Sequence, residues 1–314
     1  MNAYLAQRLA MVPIVVFMVA TLVFVLVRTL PGDIVDVLTA EAPRYGAGDE
    51  LRAKLGLDKP MLEQYVEFLK DSAQGNFGTS LYFEKPVSEQ INQALPVTVE
   101  LATLAILISL LASVPLGVLG AVKPDSKVDY AARLFSVLFH GVPIFWIATL
   151  VLTFLAIWFK WIPPLGYRPI WVDPLGNIQQ FIIPAVLVAL GSMGLKMRVV
   201  RAQMLDVLSQ DYIRTARAKG LASRAVIWRH GVRNALIPVV AIVGNQMGAL
   251  LGGTAIIETV FNLPGLGRML ITAVDNRDYP SITGAVLVTS CLLVVVNLVT
   301  DLIYAWLNPR IKLG

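Results

Sequence analysis

Apolar residues along this chain gather into continuous runs of about 20, the length a helix needs to cross about 30 Å of hydrocarbon. Such runs are read at 9–29, 98–122, 134–159, 181–200, 235–257 and 281–306. A long polar stretch, 30–97, separates the first two, and a second polar segment covers about 196–234. The pattern predicts an all-α integral membrane protein with about six transmembrane helices and a small helical segment between the first two. Its parts are expected at 1–29 (tail and first helix), 30–97 (extracytoplasmic segment), 98–307 (membrane core) and 308–314 (cytoplasmic tail). Within 30–97, Asp49 is placed to cap a short helix through Leu55 that Gly56 ends. Pro60 suits a first helical turn, and Leu62, Tyr65, Val66 and Leu69 then form one apolar helical face. Gly75 to Gly78 mark a turn, and Pro86 and Pro96 punctuate the return to the membrane.

Composition strengthens the membrane reading. The chain is 56% hydrophobic and 15% charged, where a soluble domain keeps about a quarter of its residues charged. Its net charge of +5 is informative through placement. Arg8, then Lys123, Lys127 and Arg133, then Lys196, Arg198, Arg201 and the basic residues up to Arg233, then Arg310 and Lys312 all fall on one side of an even set of spans. The positive-inside rule makes that side the cytoplasm, with both termini there. Basic excess of this kind calls for no nucleic-acid partner. The apolar run from Leu9 to Val27 is long for a signal peptide and lacks a small-x-small cleavage site, so an uncleaved first helix is expected.

Candidate chemistry is sparse. The chain has no Gly-Lys dipeptide, hence no phosphate-cradling loop, and it is not expected to bind ATP or Mg itself. His140 and His230 lack metal-ligand spacing, and the single cysteine, Cys291, sits in an apolar run. No catalytic or metal site is assigned. Glu100, Glu258 and Asp301 lie near span ends, not at the midplane where an ion-coupled carrier places such groups. Asn245, Gln246 and Asn297 are deeper and uncharged; they either line a pathway or hydrogen-bond between helices. The secondary-transporter alternative further predicts inverted repeats, which the sequence does not display.

The segment from Arg198 to Asn234 alternates apolar clusters with basic residues at helical spacing. Gly220 suits a helix stop and Pro238 stands just inside the next run. Two readings fit: a helix-turn-helix whose exposed apolar positions need a protein partner, or an amphipathic helix lying on acidic lipid.

Ala216-Arg-Ala-Lys-Gly-Leu221, followed by Arg229-His-Gly-Val-Arg-Asn-Ala-Leu-Ile-Pro238, resembles the cytoplasmic coupling loop of bacterial ABC importer permeases, in the branch serving dipeptides, oligopeptides, nickel and glutathione. The resemblance extends to Leu55-Gly-Leu-Asp-Lys-Pro60, Gly75-Asn-Phe-Gly-Thr-Ser80, Thr98-Val-Glu-Leu101, Gly252-Gly-Thr-Ala-Ile-Ile-Glu-Thr-Val-Phe261, Pro264-Gly-Leu-Gly-Arg268, Arg277-Asp-Tyr-Pro280 and Asn308-Pro-Arg310. It departs at Arg214-Thr-Ala216, where the general loop has Glu-Ala-Ala, and at Asn308, where an acid is usual. The resemblance implies a type I ABC importer permease fold in the bacterial inner membrane. It also implies a second homologous permease subunit, two ATPase subunits that bind ATP and Mg, and an extracytoplasmic solute-binding protein. Di- or oligopeptides are the implied solutes, with nickel chelates, glutathione or oligosaccharides as alternatives. Leu208, Tyr212, Ile213 and Leu221 are then expected to fill a groove on an ATPase, with Arg214, Arg217 and Lys219 at its rim and Ala216 and Gly220 within the motif. Glu258, Phe261, Pro264, Gly265 and Gly267 are expected to form an outer gate, a docking point for the binding protein, or simply a turn.

Overall fold

The computed structural model describes residues 2–29, 58–80 and 82–307. These residues fold into helices, joined by loops that include one isolated antiparallel bridge between Thr79 and Pro86. The expected helix at 49–55 and the tail 308–314 lie outside the described residues. Helix α1 spans Asn2–Thr29, α2 Met61–Ala73, α3 Val87–Val122, α4 Lys127–Gly141, α5 Ile144–Phe159 and α6 Pro174–Leu208. Beyond it come α7 (Asp211–Ala218), α8 (Ser223–Ala235), α9 (Ile237–Gly253), α10 (Ala255–Val260), α11 (Leu266–Asp275) and α12 (Tyr279–Leu307).

Among the described residues four helices, α1, α3, α6 and α12, are each long and apolar enough to cross a membrane, and the number is six if each of the bent pairs α4–α5 and α8–α9 is one span. The all-α membrane architecture predicted from the apolar runs is thus present, but two runs are not single helices. The third breaks at Val142 and Pro143, because a proline ring lacks the N–H that would continue the helix and restricts the residue before it. The fifth bends by 48° near Leu236, just ahead of Pro238, and its far end splits off as α10. Two further boundaries move. Pro86 caps α3, so Pro96 lies inside that helix, and α6 continues to Leu208, absorbing the start of the segment read as polar.

The centre of the molecule is the α3–α6 pair. Val97, Leu101 and Ala105 pack with Phe181, Ala185 and Val188 in one stretch, and Val118 and Ala121 pack with Val200 and Met204 in another. At Gly117 a Cβ would lie 2.8 Å from the Met197 carbonyl oxygen and from Val200, so only glycine lets the two backbones come this close. Around the pair, α12 packs on α9, α1 and α11. Most of α1 presents apolar side chains outward, among them Ile14, Phe17, Met18 and Leu22, as lipid contact requires.

Helix α2 docks on α1 through aromatic rings: Phe24 lies 5.2 Å from Tyr65 and 5.4 Å from Phe68 between centroids. Tyr65 and Thr21 share a hydroxyl hydrogen bond of 2.6 Å. The packed face is therefore Tyr65, Phe68 and Leu69, whereas Leu62 and Val66, expected on that face, are exposed. The stacking geometry of Phe24 decides the rotation of the helix, and apolar periodicity alone does not encode it.

At the end of the bundle that carries the basic segment, Ser126 caps α4 by accepting from the Asp129 N–H. The fully buried Asp129 carboxylate accepts from Arg201 Nε at 2.7 Å and from its terminal nitrogen at 2.8 Å, and from Arg133 of the following turn. This bidentate pair clamps α4 to α6. Removing one partner of a buried pair typically costs about 3–5 kcal/mol. Arg201→Met is therefore expected to lower the thermal midpoint of the detergent-solubilised chain markedly. The double change Asp129→Leu, Arg201→Met should recover part of the loss; additive losses would show that the pair does not clamp.

Candidate functional site

The segment following α6 folds back on that helix. Ile213 and Ala216, three residues apart on α7, are both buried and pack on Val207 and Leu208 of α6 and Val226 of α8. Tyr212 holds α7 to α8: its hydroxyl accepts from Asn234 Nδ2 at 2.9 Å and donates to the His230 carbonyl at 3.5 Å. Gly220 ends α7 at φ +77°. Its N–H reaches the Arg217 carbonyl at 2.9 Å and the Leu221 N–H reaches the Ala216 carbonyl at 3.3 Å, the paired bonds of a Schellman stop. Nothing lies within 4 Å of a Cβ built on Gly220, so the glycine serves the backbone conformation alone. Over Val226–Val232 helix α8 is wound as a π-helix, a form that recurs at functional sites.

What this unit exposes is basic. Arg214, Arg217, Lys219, Arg224, Arg229 and Arg233 are all exposed, with Tyr212, Leu221 and Trp228 as the large apolar groups among them. Ile213 and Leu208 are therefore not free to fill a partner's groove: Ile213 is buried and Leu208 half-buried within the chain's own packing. The i, i+3 spacing of Ile213 and Ala216 records the attachment of α7 to its own helix. Trp228 was missed by motif reading; a tryptophan among arginines after a helix stop is the signal that could have found it.

At the opposite end of the bundle, residues 254–268 wrap around the buried Glu258 carboxylate. One oxygen accepts from Thr98 at 2.8 Å and Thr254 at 2.7 Å, and the other accepts from the Arg268 N–H at 2.9 Å. Thr98 in turn accepts from the Leu266 N–H at 2.8 Å. A Cβ on Gly265 would fall 2.4 Å from the Glu258 carboxyl carbon. Phe261 and Leu263 plug into the α3–α6 core. Of the five residues expected to gate or dock here, Glu258, Phe261, Gly265 and Gly267 are buried and only Pro264 is exposed. A binding protein therefore cannot touch the first four in this arrangement; they hold residues 254–268 against the bundle. Nearby, the Glu100 carboxylate accepts from Tyr167 at 2.7 Å and Asn177 at 2.6 Å. Burial and this carboxylate hold the Tyr167 phenol above its ordinary pKa, so it stays a donor.

Two families of sequence match this chain along nearly its whole length: the N-terminal membrane component of binding-protein-dependent transport systems over residues 1–102, and the inner membrane component of the same systems over residues 113–313. The chain belongs to this family of ABC importer permeases. Among its relatives are the oligopeptide transport system permease protein AppB of Bacillus subtilis, 36% identical over 99% of this chain and 100% of that protein. The di/tripeptide transport system permease protein DppB of Pseudomonas aeruginosa is 34% identical over 99% of each chain.

Between its two ends the permease carries polar groups that the apolar runs had hidden. Gln246 donates through Nε2 to Ser192 Oγ, while Asn245 and Asn297 are exposed on α9 and α12. Lys196, read from sequence as the start of the polar segment, is instead fully buried, bonded to Ser109 and Ser192. Of the three candidate pathway residues, the structure brings only Gln246 into this cluster.

Glu258→Ala strands three donors, two of them buried threonine hydroxyls whose unmade bonds cost about 1–3 kcal/mol each. It is expected to lower the thermal midpoint of the permease far more than Pro264→Ala, and Glu258→Gln, which keeps an acceptor oxygen, should lose less than Glu258→Ala. Equal midpoints for Glu258→Ala and Pro264→Ala would show that the carboxylate does not organise the element.

Proposed function

We propose that this permease carries di- and oligopeptides across the bacterial inner membrane, received from a solute-binding protein and driven by ATPase subunits seated on α7. The peptide assignment is supported by full-length relatives whose names specify peptide transport. The drive is supported by one observation above the others: α7 is fixed to α6 by Ile213 and Ala216 yet presents Arg214 and Arg217 outward, with Lys219 and Leu221 exposed just past its end. A helix attached on one face and exposed on the other is built to pass a push from a partner into the membrane bundle. The basic excess supports a cytoplasmic position for this end and for both termini. The other end, with α2 and the Glu258-centred element, then faces outward, and that element acts as a rigid outer gate. A second, similar permease completes the pathway, and ATP and Mg are bound by the ATPase chains.

Purification of the tagged permease from gently solubilised membranes should bring down an ATPase, a second permease and a binding protein, and the reassembled complex should take up peptides only with ATP. Recovery of this chain alone, active without ATP, would overturn the reading. Within the complex, Gly220→Val is expected to uncouple hydrolysis from uptake while leaving membrane insertion intact, because a β-branched residue resists positive φ. Gly220→Asn, which tolerates that conformation, should stay coupled; equal behaviour of the two variants would refute the role given to the Schellman stop.

A further inference from the structure

Three polar clusters lie along one face of α3. Thr98 holds the Glu258 carboxylate, Ser109 accepts from Lys196 at 2.5 Å, and Gly120 lies against Asp129 and Arg201. Each is eleven residues from the next, about three turns and about 16 Å along the helix. The Lys196 ammonium is therefore held midway between the polar groups at the two ends of the bundle, at the depth where an ionisable side chain marks a solute pathway by default.

The outer clusters are closed and the middle one is not. Asp129 meets two guanidinium groups, and Glu258 meets three donors. Lys196, fully buried, has only hydroxyl acceptors, Ser109 and Ser192 at 3.2 Å, and no ion pair with a carboxylate among the described residues. An ammonium carries three donors. Two more buried hydroxyls on the packed helices lack a partner: Ser113, one turn along α3 from Ser109, and Ser136, which abuts Gly194 of α6. The cluster holds an ammonium and gives it no carboxylate partner, an inventory that suits an anion. Gln246 extends it toward the surface of α9: half-buried, it shares the Ser192 oxygen with Lys196, and its carbonyl oxygen is unpaired.

We propose that Lys196, Ser192 and Gln246 form an anion-recognising step within the membrane pathway that takes the carboxylate group of the travelling solute. This rests on the peptide reading above, and it adds what that reading lacks, a contact inside the membrane. Every unmodified peptide ends in one carboxylate whatever its side chains, so recognition of this group admits peptides of many sequences. The Gln246 carbonyl is suited to accept from the adjacent peptide N–H.

The test uses the complete importer in proteoliposomes, with its binding protein saturated by either a tripeptide free acid or the same tripeptide as its C-terminal amide. ATP-dependent uptake by the wild type should favour the acid. Lys196→Met should reduce acid uptake by about tenfold and bring the acid-to-amide ratio near one, with Lys196→Arg preserving the preference. Gln246→Leu, which removes no charge, should lower the same ratio, and elution of each variant as an intact complex checks assembly. Because the binding protein is common to all variants, a change in ratio reads the permease alone. An unchanged ratio in intact Lys196→Met and Gln246→Leu complexes overturns the carboxylate site and leaves the peptide reading standing. Failure of the wild-type complex to move either peptide overturns both.

Discussion

The close approach of α3 and α6 is the contact on which the rest of this permease depends. In hydrocarbon the backbone must satisfy itself within helices, so what remains to be decided is how helices touch and where their polar side chains go. Gly117 brings the two backbones together, and with that distance set, side chains from a third helix can reach across either end. At the basic end Arg201 of α6 takes hold of Asp129 and with it α4. At the other end Thr98 of α3 anchors Glu258 and the chain up to Arg268. Van der Waals packing of small residues does the joining, as it must where lipid tails offer no hydrophobic drive between helices.

This arrangement makes α6 a continuous member from its Asp173 cap to Leu208. Helix α7 does not hang from it on a free loop, because Ile213 and Ala216 are seated on Val207 and Leu208 and the Tyr212 hydroxyl ties it to α8. A displacement applied to the exposed side of α7 is therefore carried to Arg201 and Lys196 through one helix. Packed cores respond to such a push by switching between arrangements, not by continuous deformation. The bend at Leu236 between α8 and α9 and the break at Val142–Pro143 are two places where the backbone already departs from straight helix.

Much of this was legible in the sequence, and the illegible parts share a cause. Apolar runs gave the membrane helices because lipid imposes length and composition directly. The Ala216-to-Leu221 motif marked α7, and Gly220 marked its end. The errors arose where a residue's partner, not its own type, sets its place. Lys196 was assigned to the polar segment because a lysine at the edge of an apolar run usually ends it; its burial depends on Ser109, far away in sequence. Ile213 was turned outward because its seat, Val226, lies beyond the helix stop. Of the apolar face expected on α2, Tyr65 and Leu69 pack while Leu62 and Val66 do not, because Phe24, which adds Phe68 to the packed face, belongs to another helix. The sequence places Glu258 near a span end, in a gate, a docking point or a turn; Thr98 and the Arg268 N–H, distant in sequence, are what draw it inside.

Glu258 and Lys196 are both fully buried charges, and the difference between them is one of saturation. A carboxylate accepts only, and Glu258 receives three donors from threonine hydroxyls and backbone, groups fixed by the fold. Its charge is spread over bonds that any opening of the element would break, so it resists opening. A lysine donates only, and the groups around Lys196 are hydroxyls, which can turn to donate elsewhere at little cost, and a glutamine amide, which can do either. Two serines hold the ammonium without neutralising it, and the Gln246 amide meets it only through the shared Ser192 oxygen. The same desolvation that makes a closed carboxylate rigid makes an unneutralised ammonium receptive, since an arriving anion finds a positive charge already stripped of water and a set of rotatable hydroxyls to complete its shell.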